Sequence, residues 1–243
     1  MKIAVLLYGE VRTFFTAVKT WNICKLPNVD YFIHTQTESY NKFTGEINNV
    51  DKKEIQRVFP NSKILTETRD SFQIYNEKND IHQHHRSWRI LNKHLTNDYN
   101  FVIIHRLDSV LYIKNLIQLL DTFEKNVIYL RAPINQDGNL FVEDHFFMGS
   151  YEVIKYFLDN LPHGNLLHQS HTDTAKYILS LPFENKTHGN DNVICFHLRE
   201  NMINFFDNNY VSRSEDEQYN FLQNFTTIEH QNLEKIYSLN AKK

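Results

Sequence analysis

Ile3-Ala4-Val5-Leu6-Leu7-Tyr8, closed by Gly9, is the stretch whose reading decides the fold. An unbroken apolar run of this length, ended by glycine, reads as a strand buried on both faces rather than one that alternates between core and water. The same reading extends to Val29–His34, Lys63–Thr66, Tyr99–His105, Val127–Arg131 and Asp144–Met148. Helical spacing fills the intervals: Arg12–Cys24, Asp51–Phe59 closed by Pro60, Ile81–Leu95 and Lys114–Phe123, with Tyr151–Asn160 after the last strand. Strands alternating with helices imply an α/β fold, a mostly parallel sheet flanked by helices. Ser170–Leu181 and Asn190–Asn201 also read as helices. The expected organisation is one domain over 1–211 with a helical C-terminal portion, followed by a polar helical tail over 212–243.

Composition narrows the chemistry. The chain has 243 residues, 41% hydrophobic and 23% charged, which is ample for a real core and too apolar for disorder. A net charge of −3 gives no electrostatic reason to expect nucleic acid as a partner. The 6 glycines fall at 9, 45, 138, 149, 164 and 189, so GxGxxG, GxxxxGK[ST] and GxSxG are all missing from the chain. Dinucleotide fingerprint, P-loop and nucleophile elbow are therefore excluded in their usual forms. Cys24 and Cys195 lie in apolar surroundings and read as two buried free thiols. The opening apolar run is too short for a signal sequence and no run approaches a transmembrane segment, so a cytoplasmic protein is expected.

In an open parallel sheet, ligands gather beyond the carboxyl ends of the strands. Those ends are polar here: Tyr8-Gly9-Glu10-Val11-Arg12, His34-Thr35-Gln36 and His105-Arg106-Leu107-Asp108. Asp108 suits a hard cation such as Mg²⁺ or Mn²⁺, and Arg106 a phosphate or carboxylate fork; the same tripeptide also reads as a local Arg–Asp pair. Gly9 lets backbone approach a ligand and Arg12 can meet a phosphate, or the segment is an ordinary strand-to-helix turn. Glu143 and Asp144 precede an aromatic strand and offer carboxylates to sugar hydroxyls, while Ser150 reads as the N-cap of the next helix. Asp191 is either an N-cap or a general base. His82-Gln83-His84-His85 lacks the spacing of a zinc site and reads as a solvated or phosphate-facing surface beside Arg86 and Arg89.

Taken in order, these segments resemble a group of bacterial and viral GT-A-type glycosyltransferases. Lys2–Phe14 is similar to that group's "SGqxRtf" start, Val29-Asp-Tyr-Phe-Ile-His-Thr to "DxFIHT", and Tyr99–Asp108 to "yDxVixxRxD". Glu143–Ser150 resembles "dDxFxfGs", and Asn190–Leu198 resembles "pExllxxhL". The likeness spans about residues 2 to 205, with Tyr8 in place of the usual Ser and Arg106 in place of the first acid of a DxD pair. It implies a GT-A-like fold and transfer of a sugar from a nucleotide-sugar donor to a glycan or lipid-linked acceptor, assisted by Mn²⁺ or Mg²⁺. By the same resemblance Tyr8, Gly9, Arg12, His34, Thr35 and Arg106 would bind the donor. Asp108 would hold the metal, and Glu143, Asp144 and His145 would meet the acceptor sugar. Asp191 would be the catalytic base, with Asp144 as second choice. A nucleotidyltransferase and a non-catalytic sugar- or nucleotide-binding module are the alternatives.

Overall fold

The computed structural model describes residues 1–40, 45–79, 83–96, 98–131, 135–136, 139–140, 142–162, 170–187, 193–199, 202–210, 214 and 216–225. The chain order begins β1 (Ile3–Tyr8), α1 (Phe14–Ala17), β2 (Val29–Gln36), β3 (Glu38–Tyr40), β4 (Ile47–Asn49), α2 (Lys52–Val58) and β5 (Lys63–Glu67). It continues with α3 (Arg69–Asn79), α4 (Gln83–Asn92), β6 (Phe101–Arg106), β7 (Ser109–Ile113), α5 (Leu116–Asp121) and β8 (Val127–Leu130). The remainder is β9 (Asn135–Gln136), β10 (Asn139–Leu140), β11 (Phe146–Ser150), α6 (Tyr151–Asp159), α7 (Ser170–Leu179), β12 (Glu184–Thr187), β13 (Val193–His197) and α8 (Ile203–Tyr210).

Seven strands form the main sheet in the order β12-β8-β11-β6-β1-β2-β5. The fold is mixed α/β with a mostly parallel central sheet flanked by helices. Each neighbouring pair is parallel except those made by β11, which runs antiparallel to both β6 and β8. The sheet is thus mostly parallel, as expected, and the reversed strand carries no mark of its direction: a strand buried on both faces looks the same in sequence whichever way it runs.

Alternation along β1 divides the core. Ile3, Val5 and Leu7 pack on one face with Phe14, Trp21 and Ile103, whereas Ala4, Leu6 and Tyr8 pack on the other with Trp88, Leu91 and Phe157. A third cluster lies beside the sheet, where Val110, Tyr112, Ile194 and Phe196 of the β7–β13 pair meet Phe206 and Tyr210 of α8. Residues 216–225 are helical and add Tyr219, Leu222 and Phe225 to this cluster.

Several local expectations give way to tertiary contacts. The helix expected over 12–24 is a four-residue α1 followed by two short 3₁₀ turns. There Thr20 caps Ala17 and receives the Leu111 amide, while the Trp21 indole donates to the Ser109 carbonyl at 2.8 Å. Bonds to β7 thus replace the helical ladder. Cys24, at the outer edge of this segment, is exposed rather than buried; only Cys195 is enclosed. The helix expected over 190–201 is in its described part β13, an antiparallel partner of β7. The strand expected over 144–148 starts two residues later, and Ser150 caps α6 as its sequence suggests, accepting the Val153 amide. Among the described residues no helix is long and apolar enough to cross a membrane.

Candidate functional site

Register brings the polar strand ends together. Tyr8 stands opposite His34 on β2 and Arg106 on β6, so the exits of β1, β2 and β6 share one rim. A cavity of about 220 Å³ opens there, lined by Gly9, Arg12, His34, Thr35, His84 and Arg106 among others. A larger groove of about 950 Å³ lies by Lys25, Lys114 and Tyr219, away from the strand exits and their network of paired charges. The chemistry concentrates at the smaller one.

Gly9 has φ +104° and open space where a Cβ would project, so its backbone can approach a ligand without obstruction. Its carbonyl accepts the Thr35 hydroxyl at 2.7 Å, which joins the β1 and β2 exits. His34 is enclosed, with Nδ1 3.0 Å from Ser87 Oγ and Nε2 3.8 Å from Glu67.

Asp108 is wholly buried and organises the site. Arg106 grips it as a fork, Nε to Oδ1 and Nη2 to Oδ2, both at 2.9 Å. Arg12 Nη2 reaches the same Oδ2 at 2.9 Å, and His197 Nε2 lies 3.1 Å from it. Burial alone would push this carboxyl up, but the Arg106 charge and then the His197 bond hold it well below the usual range. Asp144 is likewise buried. Its Oδ2 pairs with His84 Nδ1 and lies 3.4 Å from Arg106 Nη1, while Oδ1 is 3.5 Å from His145 Nε2. Burial opposes its ionisation as well, and the charges of His84 and Arg106 outweigh burial.

This arrangement does not suit Asp108 to a divalent cation. Hard cations take six or more oxygens, whereas both Asp108 oxygens already face cationic or imidazole nitrogens. Among the described residues no group of three His, Cys, Asp or Glu side chains is placed to hold a metal. The local Arg–Asp pairing weighed for Arg106-Leu107-Asp108 is the geometry found.

The other sequence candidates separate. Gly9, Arg12, His34, Thr35 and Arg106 line the cavity. Tyr8 does not: strand alternation turns it into the core against Trp88, where its hydroxyl bonds the Asp144 carbonyl. Glu143 pairs with Arg131 and is outside the cavity lining. His145 sits behind Asp144, with burial pushing its imidazole down to about 3. Asp191 lies outside the described residues. His84 and His197 are additional site residues, both lining the cavity. His84 had a readable signal, since His84, Ser87, Trp88 and Leu91 follow the i, i+3, i+4, i+7 spacing of a helix face turned to the sheet. His85, not His84, is the enclosed member of the run, bonded to Thr174 Oγ1 at 2.8 Å.

No family model matches the chain, and no curated protein matches it. Among solved structures it is similar to the apo form of the glycosyltransferase GlyE of Streptococcus pneumoniae TIGR4, at 11% identity and a TM-score of 0.42, covering 76% of this chain and 45% of that one. The galactosyltransferase LgtC in complex with donor and acceptor sugar analogs shares 10% identity at a TM-score of 0.40, covering 64% of this chain and 60% of that one. The chain therefore spans about half the length of these two structures. The 4-diphosphocytidyl-2C-methyl-D-erythritol synthase of Anaerococcus prevotii DSM 20548 is similar over 87% of this chain and 99% of its own, at 12% identity and a TM-score of 0.48.

Proposed function

We propose that this protein is a glycosyltransferase that moves a sugar from a nucleoside-diphosphate donor to a hydroxyl acceptor. The observation that carries the reading is the pair of arginines, Arg12 and Arg106, fastened side by side on one Asp108 oxygen at the mouth of the strand-end cavity. A sugar leaves its nucleotide when negative charge on the departing diphosphate is stabilised, and preorganised guanidinium groups supply that stabilisation without rearranging. Gly9 beside them leaves room for phosphate or ribose against the backbone. At about 220 Å³ the cavity seats one part of such a donor, and the rest would lie along the open rim. The ordered series of sequence motifs supports the same reading.

Because both Asp108 oxygens already face nitrogens, the reading assigns the charge on the diphosphate to Arg12 and Arg106 rather than to a cation. Turnover is expected to be the same in excess EDTA as in Mn²⁺ or Mg²⁺; a loss in EDTA restored by metal would return Asp108 to its expected role.

A thermal-shift screen with UDP, GDP and their sugars, all in EDTA, tests the reading. A ligand at about a hundred times its Kd should add about 2.7 kcal/mol of stability. Arg106→Ala and Arg12→Ala should abolish the shift. No stabilisation by any nucleotide diphosphate or nucleotide sugar would reject the proposal. Stabilisation by a triphosphate with release of pyrophosphate would identify a nucleotidyltransferase instead, and binding without turnover in the presence of glycan acceptors a binding module.

A further inference from the structure

His84, at the start of α4, lines the donor cavity but was given no part in holding the diphosphate, and its surroundings are those of a catalytic base. We propose that His84, oriented by Asp144, takes the proton from the attacking acceptor hydroxyl. This rests on the glycosyltransferase reading above and assigns its base to an imidazole rather than to a carboxylate.

The geometry divides the ring into a held end and a working end. Nδ1 faces the buried Asp144 carboxylate. Nε2 is on the other side, 3.3 Å from the side-chain nitrogen of Gln83, a residue that is exposed and lines the same cavity. With the amide nitrogen of Gln83 as donor, Nε2 is the acceptor, and the proposal accordingly puts the ring proton on Nδ1. Gln83 occupies the place an incoming hydroxyl would take, and its exposed side chain can yield it. A buried carboxylate behind Nδ1 with a basic Nε2 toward substrate is the orienting logic of the Asp–His pair in hydrolytic triads.

The described surroundings of the ring fit this use. Tyr8 of β1 stands edge-on, ring centroids 5.4 Å apart, and its hydroxyl bonds the Asp144 backbone, so it braces both members. Arg106 of β6 shares the Asp144 Oδ2 with His84, which places the base one carboxylate away from a guanidinium assigned to the leaving diphosphate. His145 approaches only the far oxygen of Asp144. Asp144 is thereby a positioning residue: it is buried, outside the cavity lining, and its Oδ2 is shared by His84 and Arg106.

In the step this implies, the acceptor oxygen forms its bond to the anomeric carbon while the bond from that carbon to the diphosphate oxygen breaks. The acceptor proton passes to His84 Nε2, and the electron pair of the broken bond leaves with the nucleoside diphosphate, beside Arg12 and Arg106. Asp144 stays ionised and balances the imidazolium. A single displacement of this kind inverts the anomeric centre.

The ring's tautomer is the first test and needs no substrate. Long-range ¹H–¹⁵N spectra of histidine-labelled protein, with His84 assigned by His84→Gln, should show a protonated Nδ1 and a bare Nε2. The opposite tautomer would overturn the proposal. The second test is kinetic. His84→Ala should keep the thermal shift given by UDP or GDP yet lose about 10²–10⁴-fold in turnover, partly restored by added imidazole. Asp144→Asn should lower kcat more than it raises KM and disturb the His84 tautomer. Unchanged turnover in His84→Ala, or loss of nucleotide binding together with turnover, would reject the assignment. Should wild type bind neither nucleotide, the transferase reading fails, while the tautomer measurement still decides whether the pair is built as described. A product with retained anomeric configuration would overturn the base role.

Discussion

Acidification from pH 7 to pH 5 is expected to destabilise this protein by on the order of 6 kcal/mol, well before its carboxylates protonate. Three histidines carry the effect, His34 and His85 enclosed and His145 part-buried. Burial, against the opposing pull of Glu67, holds His34 down to about 4. Burial first, then the neighbouring His84 and Arg89, hold His85 down to about 3, and burial brings His145 to about 3. In the unfolded chain each titrates near 6.5. Between those limits the unfolded state binds more protons than the folded one, so stability falls as pH falls. The loss begins near pH 6.5 and ends near pH 3 to 4. At pH 5 each histidine has withdrawn about 2 kcal/mol, and together they approach the full stability of a small domain, about 5–15 kcal/mol.

The two buried carboxylates stay out of that window. Asp108 and Asp144 are held well below the normal carboxyl range. Their contribution is complete above the unfolded value of about 3.9 and is lost only as pH drops below it. His105 is also buried and pushed to about 4, but its two ring nitrogens lie 2.8 Å from the His145 carbonyl and 3.1 Å from the Ser109 carbonyl. Two acceptors favour a ring with two protons and work against burial, so this residue is not counted with the other three. Urea unfolding at pH 7.5, 6.5, 5.5 and 5.0 measures the effect. His85→Gln should reduce the slope of stability against pH by about one proton, or about 1.4 kcal/mol per pH unit. A flat profile down to pH 5 would show that these histidines are already protonated in the folded protein.

How much of this was legible beforehand depends on whether a signal is local. Six of the seven main-sheet strands announced themselves through apolar runs, and the cap at Ser150 through a single residue followed by helical spacing, whereas β12, Glu184-Asn185-Lys186-Thr187, has no apolar residue to mark it. The β7–β13 pair did not announce itself either. Val193-Ile194-Cys195-Phe196 is too short for periodicity to separate strand from helix, and its partner lies about eighty residues earlier in sequence. The direction of β11 was hidden for a related reason, since burial on both faces erases the alternation that marks an exposed face. Gly9, Arg12, His34, Thr35 and Arg106 line one cavity because strand ends in parallel sheets converge, which is what grouped them in the sequence. Tyr8 was misplaced because alternation decides which face the last strand residue takes, and that depends on which face α4 covers. Asp108 shows the limit most clearly. A carboxylate at a strand end has the same letter whether it faces a cation or two arginines, and Arg12 comes from a segment nearly a hundred residues away.

That difference gives Asp108→Ala opposite consequences under the two roles. Had Asp108 been a metal ligand, removing it would leave the metal-free protein as stable as before, or more so, because an uncompensated carboxylate would be gone. As the buried partner of Arg106, Arg12 and His197, its removal takes the shared carboxylate from two guanidinium groups whose own exposure is low, 14% and 6%, and leaves Arg106 only the longer contact to Asp144 and Arg12 a contact to Glu10 among its remaining partners. Breaking a buried ion pair by deleting one member costs about 3–5 kcal/mol, far beyond the 0–1 kcal/mol of an exposed pair. The backbone bonds at this point add a geometric reason: Thr13 Oγ1 and the Leu198 amide both donate to the Asp108 carbonyl, so the residue ties the exits of β1 and β6 to the end of β13. Those bonds survive the substitution, which confines the loss to the carboxylate. Urea unfolding in excess EDTA should therefore show Asp108→Ala destabilised by about 3–5 kcal/mol, with Asp108→Asn destabilised less because its amide oxygen still accepts one bond. Addition of Mn²⁺ should change neither wild type nor variant. A cost below about 1 kcal/mol in EDTA, joined to a metal-induced shift present in wild type and missing in the variant, would reverse the assignment and put the cation back between Asp108 and the diphosphate.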